Sequence, residues 1–406
     1  MKKSICFILL ALLMLASSAL AQEAADITKQ CRITQVGQKD ADIFALRDRN
    51  ERSSLFARDG EEYIFQVTPP ETAAAAVYIE FGEDRVLPFR VEISDGAEGW
   101  RVAADYPDSR FPQASLSFPA QSGDFRLVFY SPEGKKKLAV TELYILSEGD
   151  VTSDYDHVWQ PAVEKADLLL LATHPDDEIL WFAGTLPWYA GQCGLQVQVA
   201  YLTCGMYQRQ LELLNGLWHC GVHAFPDIGD LYDYPFETTR QVYSNWGRDT
   251  ADIRIVRLLR RYRPEVVLGQ DLLGEYGHPE HIVCAEALLR AAELAADPAY
   301  DPESAAEYGA WQVKKVYLHL GEGPYTVMDW QQPLSAFGGK TGFQIAEEAF
   351  QKHVSQQKQF YVPPRGDRYD ASLFTLRFST VGPDEQANDF LEHIPADALS
   401  AAYPIE

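Results

Sequence analysis

Basic residues are scarce in this sequence: 35 Lys and Arg stand against 59 Asp and Glu, a formal net charge of −24 at neutral pH. A chain that acidic is repelled by phosphate backbones and by anionic lipid surfaces, which excludes nucleic acid and acidic membranes as natural partners. Cysteine is also scarce, with 6 in 406 residues. They are scattered, and no two form a C-x-x-C pair, so a disulfide framework or a thiolate zinc site is poorly supported, with one or two bridges left open. After the N-terminus no apolar run approaches membrane length, and no stable membrane insertion is expected.

What the N-terminus does carry is "MKKSICFILLALLMLASSALAQ". Lys2 and Lys3 precede an apolar stretch from Ile5 to about Ala16, and Ala19-Leu20-Ala21 supplies small residues. This is the pattern of a secretory signal peptide over residues 1–21, cleaved near Ala21, and it predicts a secreted or periplasmic protein. The remaining chain is long for one core and predicts two domains.

Two hydrophobic rhythms separate them. Over residues 30–150 apolar residues recur with period two, as Tyr63, Phe65 and Val67, then Val77, Ile79 and Phe81, then Phe89, Val91 and Ile93, then Phe125, Leu127 and Phe129. Short alternating runs broken by "SDG", "YPDS" and "SPEG" predict an antiparallel β-sandwich without helices. Over residues 160–406 strand-like runs alternate with helical ones. "DLLLLA", "LQVQVAYLT", "HAFPDI", "EVVLG" and "VKKVYLHL" are separated by helices starting near Glu178, Tyr207, Asp249 and Pro279. That alternation predicts an α/β, Rossmann-like, mostly parallel sheet with helices on both faces. Ligands bind such folds at the carboxyl ends of the strands.

Two charged clusters fall at such ends. "THPDDE" follows the first strand, and a turn there lets His174 and Asp177 converge on a divalent metal while Asp176 reaches a metal-bound water. The alternative is a polar loop whose Asp177 or Glu178 favours the next helix dipole. "GHPEH" follows the fourth strand and sets His278 and His281 three apart, with Pro279 suited to a first helical turn. A pair of such clusters on one sheet edge favours the metal. His157 reads as a linker residue, while His319, His353 and His393 read as packed or surface histidines, a helical "KHVSQ" bordering the cleft being the lesser alternative.

"THPDDE" and "HPEH" resemble the two motifs of the LmbE-like or PIG-L-type N-acetylglucosaminyl deacetylases, Ala-His-Pro-Asp-Asp-Glu and His-Pro-Asp-His. "TCGMYQRQLELLNGLWHCGV" is similar to that family's threonine-glycine strand end followed by R-x-x-E. The resemblance spans roughly residues 165 to 320. Thr173 and Glu280 depart from the family pattern at positions it does not use as ligands, so both changes are expected to be mild. The resemblance implies that His174, Asp177 and His281 bind the metal, that Asp176 is the general base and that His278, in its protonated form, stabilises an oxyanion or acts as general acid. It places Glu178 behind the ligands and lets Arg209 and Glu212 reach sugar hydroxyls or form an ordinary surface pair. "ALRDRNERSSLF" and "ISDGAEGW" resemble galactose-binding-like, discoidin-type sandwiches, which implies glycan binding or plain support. The implied activity is removal of acetyl from an N-acetylated amino sugar in a glycan or glycoconjugate. Its rivals are an amidase of thiol-sugar conjugates and a non-catalytic glycan-binding protein. Zn2+ is the implied cofactor, and Fe2+ suits the same donors.

Overall fold

The computed structural model describes residues 22–403 apart from 39–42, 58–59, 83–85, 97–98, 108–109 and 132–136. The expected signal peptide lies outside these residues. Two compact units divide between Val158 and Trp159.

The first unit contains β1 (Arg32–Gln35), β2 (Leu55–Ala57), β3 (Glu62–Thr68), β4 (Ala74–Phe81), β5 (Phe89–Ser94), β6 (Trp100–Tyr106), β7 (Gln113–Gln121), β8 (Phe125–Tyr130) and β9 (Leu138–Ser147). They form a five-stranded sheet in the order β1-β3-β8-β5-β6 and a four-stranded sheet in the order β2-β9-β4-β7. Every pairing within them is antiparallel. The period-two residues meet in one core, where the ring of Phe129 lies 5.8 Å from Phe65, 6.0 Å from Phe81 and 5.5 Å from Phe89. The described helical turns, Thr28–Gln30 and Ile43–Leu46, are short 3-10 segments.

His157 is no linker residue. It is buried in this unit, with Nδ1 2.8 Å from the Tyr78 hydroxyl and 3.0 Å from Gln113 Oε1. The polar groups of β4 and β7 hold it there, a pairing between residues distant in sequence.

The second unit is built on β10 (Leu168–Ala172), β11 (Val197–Thr203), β12 (Asp227–Leu231), β13 (Val266–Gly269), β14 (Lys315–His319), β15 (Thr326–Val327) and β16 (Leu373–Ser379). The order is β12-β11-β10-β13-β14-β16-β15. The first five run parallel, while β16 is antiparallel to both β14 and β15, so the sheet is mixed. All five residues of β10 are fully buried, as a central strand covered on both faces requires. Helices Arg248–Tyr262 and Pro279–Leu294 share a core with Leu169, Leu171, Val267 and Val316. Helix Tyr207–His219 packs against helix Gly342–Phe350.

Several elements differ from their expected bounds. The "HAFPDI" strand starts only at Asp227, because Pro226 has no N–H to give a ladder. The helix at Glu178 is a single turn, Asp177–Leu180, followed by a π-helical turn over Pro187–Gln192. Helix Thr239–Trp246 lies outside the expected helices, although Thr238 and Gln241 form a capping box at its start. Strands β15 and β16 lie outside the expected strands as well. Among the described residues, no helix is long and apolar enough to cross a membrane.

The Phe129 cluster is the point at which the sandwich is most vulnerable to a cavity. Phe129→Ala should destabilise the protein by about 3–5 kcal/mol, the usual cost of emptying a buried phenylalanine site. Urea unfolding of the full chain measures it, and a loss under about 1 kcal/mol would show that the two sheets do not close on that ring.

Candidate active site

Neighbouring parallel strands β10 and β13 deliver the two histidine clusters to the same sheet edge. Past β10, Thr173 extends the pairing to β11 through Thr203 N–H, which donates to Thr173 O at 3.0 Å. The chain then turns sharply, with Asp176 at φ 113°, a conformation that L-residues rarely adopt. That twist sends two adjacent carboxylates in different directions. Asp177 turns back to accept the backbone N–H of His174 at 2.7 Å, whereas Asp176 faces the Arg209 guanidinium at 3.2 Å. A second strained residue, Glu275 at φ 54°, lies in the loop before His278. Pro279 then opens the helix that carries His281 on its first turn.

Three donor groups converge. His174 Nδ1 is 3.1 Å from His281 Nε2 and 3.2 Å from Asp177 Oδ2, and His281 Nε2 is 3.4 Å from Asp177 Oδ1. Donors at ~2.0–2.1 Å from a tetrahedral zinc stand about 3.3 Å apart, so the spacing fits such an ion. The outward nitrogens of both rings are already occupied. His174 Nε2 is held by Glu280 Oε2 at 2.6 Å, and His281 Nδ1 by Glu275 Oε2 at 2.7 Å. Glu275 also meets His319 Nδ1 at 3.1 Å and accepts the Asp271 N–H at 3.0 Å. A carboxylate on the far nitrogen fixes the ring and directs the other nitrogen's lone pair inward, the arrangement of metal-binding histidines. His174, His278 and His281 also gather within 4.8 Å, as do His174, Asp233 and Glu280. The first group is the weaker fit, since His278 Nδ1 has no hydrogen-bond partner and Glu280 stands off from it at 3.9 Å. In the second, Glu280 is committed to His174.

Charge follows this geometry. Burial opposes ionisation of Asp177, yet His281 and His174 hold its carboxyl far below the usual range. Burial likewise opposes a charge on His174, but the hydrogen bonds it donates to Asp177 and Glu280 prevail and raise it to about 10. For Asp176 burial is the leading effect and Arg209 only partly offsets it, so its carboxyl is pushed up to about 7. Burial first, then the neighbouring His281 and His174, push His278 down to about 3. A metal cation at those donors would act in the same direction, so the ring is neutral near pH 7 and the expected protonated His278 is not what these surroundings favour.

The remaining expectations divide. Glu178 is fully buried and binds backbone: its Oε2 accepts the Asp176 N–H at 2.9 Å, and its Oε1 lies 3.1 Å from His353 Nε2. It braces the strained turn. Arg209 donates to Pro175 O at 2.5 Å, faces Asp233 at 3.5 Å and lines the cleft. It forms no surface pair with Glu212, which is buried and accepts the Ser355 N–H at 2.9 Å and its hydroxyl at 2.6 Å. Glu280, where the resembled motif has Asp, holds His174 through its carboxylate. The sequence pattern does not single out Glu275, Asp233 or Trp181, whose indole N–H donates to Asp177 Oδ1 at 2.8 Å. A glutamate shortly before "HPEH" is visible there, but its partner rings are not. The five described cysteines are all free. The cleft over the site holds about 220 Å³, walled by Arg209, Asp233, Tyr276, His278, Gln356 and Phe360 among others.

Residues 169–292, within the second unit, match the family described as PIG-L, GlcNAc-PI de-N-acetylase. Among curated relatives, 1D-myo-inositol 2-acetamido-2-deoxy-alpha-D-glucopyranoside deacetylase 1 of Catenulispora acidiphila is 31% identical over 210 residues, 44% of this chain and 63% of the relative. The chain thus spans less than two thirds of that relative's length. The conserved protein TT1542 of Thermus thermophilus is 25% identical, with a TM-score of 0.33 over 47% of this chain and 80% of its own. A structure titled CpGH89CBM32-6, produced by Clostridium perfringens, is 17% identical, with a TM-score of 0.26 over 30% of this chain and 99% of its own.

Metal titrations separate the donor sets. Glu275→Gln and Glu280→Gln should each weaken zinc binding about 10–100-fold by releasing the rings they hold. His278→Ala should leave the zinc content of the purified protein unchanged. If His278→Ala strips the ion while Asp177→Ala retains it, the three-histidine set is the true one.

Proposed function

We propose that this chain is a metal-dependent de-N-acetylase that hydrolyses the acetamide of an N-acetylated amino sugar in a glycan or glycoconjugate. The convergence of His174 Nδ1, the Asp177 carboxylate and His281 Nε2, with Asp176 and His278 beside them on the cleft, carries this reading. His174, Asp177 and His281 would hold a divalent ion, which would supply Lewis acidity and a water acidic enough to attack near neutral pH. Zinc suits two imidazoles and a carboxylate, and so does ferrous iron; the family resemblance and an oxidising compartment favour zinc.

The protein's own groups complete the chemistry. Asp176, which lines the cleft beside those donors, accepts the proton of the attacking water and can return it to the departing amine nitrogen. His278, as a neutral imidazole, turns an N–H toward the oxyanion that forms on the acetamide carbon, worth a share of the barrier because the site is fixed beforehand. Arg209 steadies Asp176 and offers its remaining N–H groups to sugar hydroxyls. Glu178 keeps the base in its twisted backbone setting.

A second reading, hydrolysis of a small sugar conjugate, is favoured by the inositol-linked acetamido glucopyranoside in the name of the Catenulispora relative. The lysine-led apolar N-terminus supports export and thereby the glycan. For the first unit, glycan binding is proposed from the resemblance of "ALRDRNERSSLF" and "ISDGAEGW" to galactose-binding-like, discoidin-type sandwiches.

Adjacent carboxylates give the sharpest test. Asp176→Asn should keep the metal and lower acetate release from an N-acetyl sugar by about 10²–10⁴-fold, the usual worth of a placed general base. Asp177→Asn should instead lose metal affinity, with partial recovery of activity in excess zinc. Metal content and acetate release, measured side by side, decide the matter; the opposite pattern exchanges the two roles.

A further inference from the structure

One part of the cleft lining neither holds a metal donor nor moves a proton. It consists of Gln356, Gln359 and Phe360, all beyond the residues that match the family. They follow helix Gly342–Phe350 in a run of turns, so the "KHVSQ" stretch borders the cleft from a turn and not from a helix. Backbone bonds close those turns: Gln356 N–H donates to His353 O at 2.9 Å, and Gln359 N–H to Gln356 O at 3.0 Å. Two buried side chains fix the run to the unit. His353 lies 3.1 Å from Glu178 and fits against helix Tyr207–His219 at Gly216, where a Cβ would come within 2.9 Å of its Nε2. Glu212 of the same helix accepts the N–H and the hydroxyl of Ser355, the residue before Gln356.

The amides carried by this run are open to a ligand. Gln356 donates one N–H to the Ser355 hydroxyl at 2.9 Å, which leaves the other N–H and the carbonyl oxygen. Gln359 is exposed, and its amide has no partner among the described residues. Phe360 is half-buried, its ring 5.9 Å from that of Tyr276. Among the described residues that line the cleft, Arg209 alone is lysine or arginine. It already faces Asp176 at 3.2 Å and Asp233 at 3.5 Å, so no uncommitted guanidinium or ammonium waits there for a phosphate.

We propose that Gln356, Gln359 and Phe360 recognise the sugar ring, selecting an uncharged, hydroxyl-bearing pyranose next to the acetamide over a phosphate-bearing one. The proposal rests on the de-N-acetylase reading and names what that site accepts. An amide donates and accepts at once, as a hydroxyl does, so two amides match a ring with several hydroxyls. The phenyl ring of Phe360 covers apolar C–H surface that such a ring also carries. Polar groups set in place beforehand discriminate well, because a ligand without the hydroxyls leaves them unpaired. A run pinned by His353 and Glu212 also has less freedom to lose when the ligand arrives.

The test uses the zinc-loaded full chain and N-acetylglucosamine. Gln356→Leu/Gln359→Leu should lower kcat/KM for acetate release about tenfold, through KM with kcat retained, the scale of one or two lost hydrogen bonds. Gln359→Leu alone, at an exposed position, should give part of that loss, and zinc content should stay unchanged in both variants. Saturation-transfer NMR reads binding without turnover. The double variant should bind N-acetylglucosamine more weakly than the wild type does. It should bind N-acetylcyclohexylamine, which keeps a ring and the acetamide but lacks the ring hydroxyls, equally well. If the wild type releases no acetate, the deacetylase reading fails, and the binding difference still decides whether these residues recognise the sugar. Equal binding of N-acetylglucosamine by wild type and double variant, an equal loss on both ligands, or a wild-type preference for N-acetylglucosamine 1-phosphate would each overturn the proposal.

Discussion

The whole site depends on two buried carboxylates gripping the outer nitrogens of two imidazoles. Glu280 and Glu275 decide which nitrogen of His174 and His281 looks inward, and hence whether a cation meets lone pairs or N–H groups. The grip of Glu280 crosses between elements, for it lies on the helix after β13 while His174 stands at the tip of β10. The register of those adjacent strands therefore sets the distance between donors as surely as the side chains do. Glu275 reaches its position only through a backbone conformation that glycine would adopt more readily, with His319 supporting it from the end of β14. Strain of this kind persists where surrounding contacts over-determine it.

The same logic applies on the other side of the metal donors. Asp176 owes its direction to a turn braced by Glu178, and Glu178 is in turn reached by His353 from beyond helix Gly342–Phe350. Residues far down the chain thus hold the proposed base in place. The segment after residue 292 is part of the machinery even though the family match stops there. It supplies His319, His353, Gln356 and Phe360 to the ligand network or the cleft wall.

What was legible in the sequence follows from range. Strand alternation, the rhythm of β10 and β11, and the helices at Tyr207, Arg248 and Pro279 depend on neighbours within a few residues, and they appear close to where periodicity puts them. His174 with Asp177 and the pair His278 and His281 were legible because each cluster is compact and each follows an apolar strand, while the choice of His281 over His278 as a donor came from the family resemblance. Partnerships such as Glu280 with His174, 106 residues apart, or His353 with Glu178 leave no local trace. The protonation state of His278 was illegible for a related reason, since burial and neighbouring charge are properties of the assembled site. Strand β16 escapes the pattern because its antiparallel pairing with β14 is a tertiary choice, and its moderately buried sequence resembles any loop-bounded run.

That late strand has a consequence for behaviour in concentrated solution. A parallel sheet ending on β14 would present a flat, apolar ladder of unpaired amides to any passing chain. Instead β16 covers it in the opposite direction, and β15, only two residues long, forms the outermost edge. At the other border β12 is five residues long, carries Asp227 and Asp230, and pairs to β11 through a bulge. Short, charged and irregular borders give a second molecule little to add a strand to, so the sheet that carries the chemistry is also protected against templating its own aggregation.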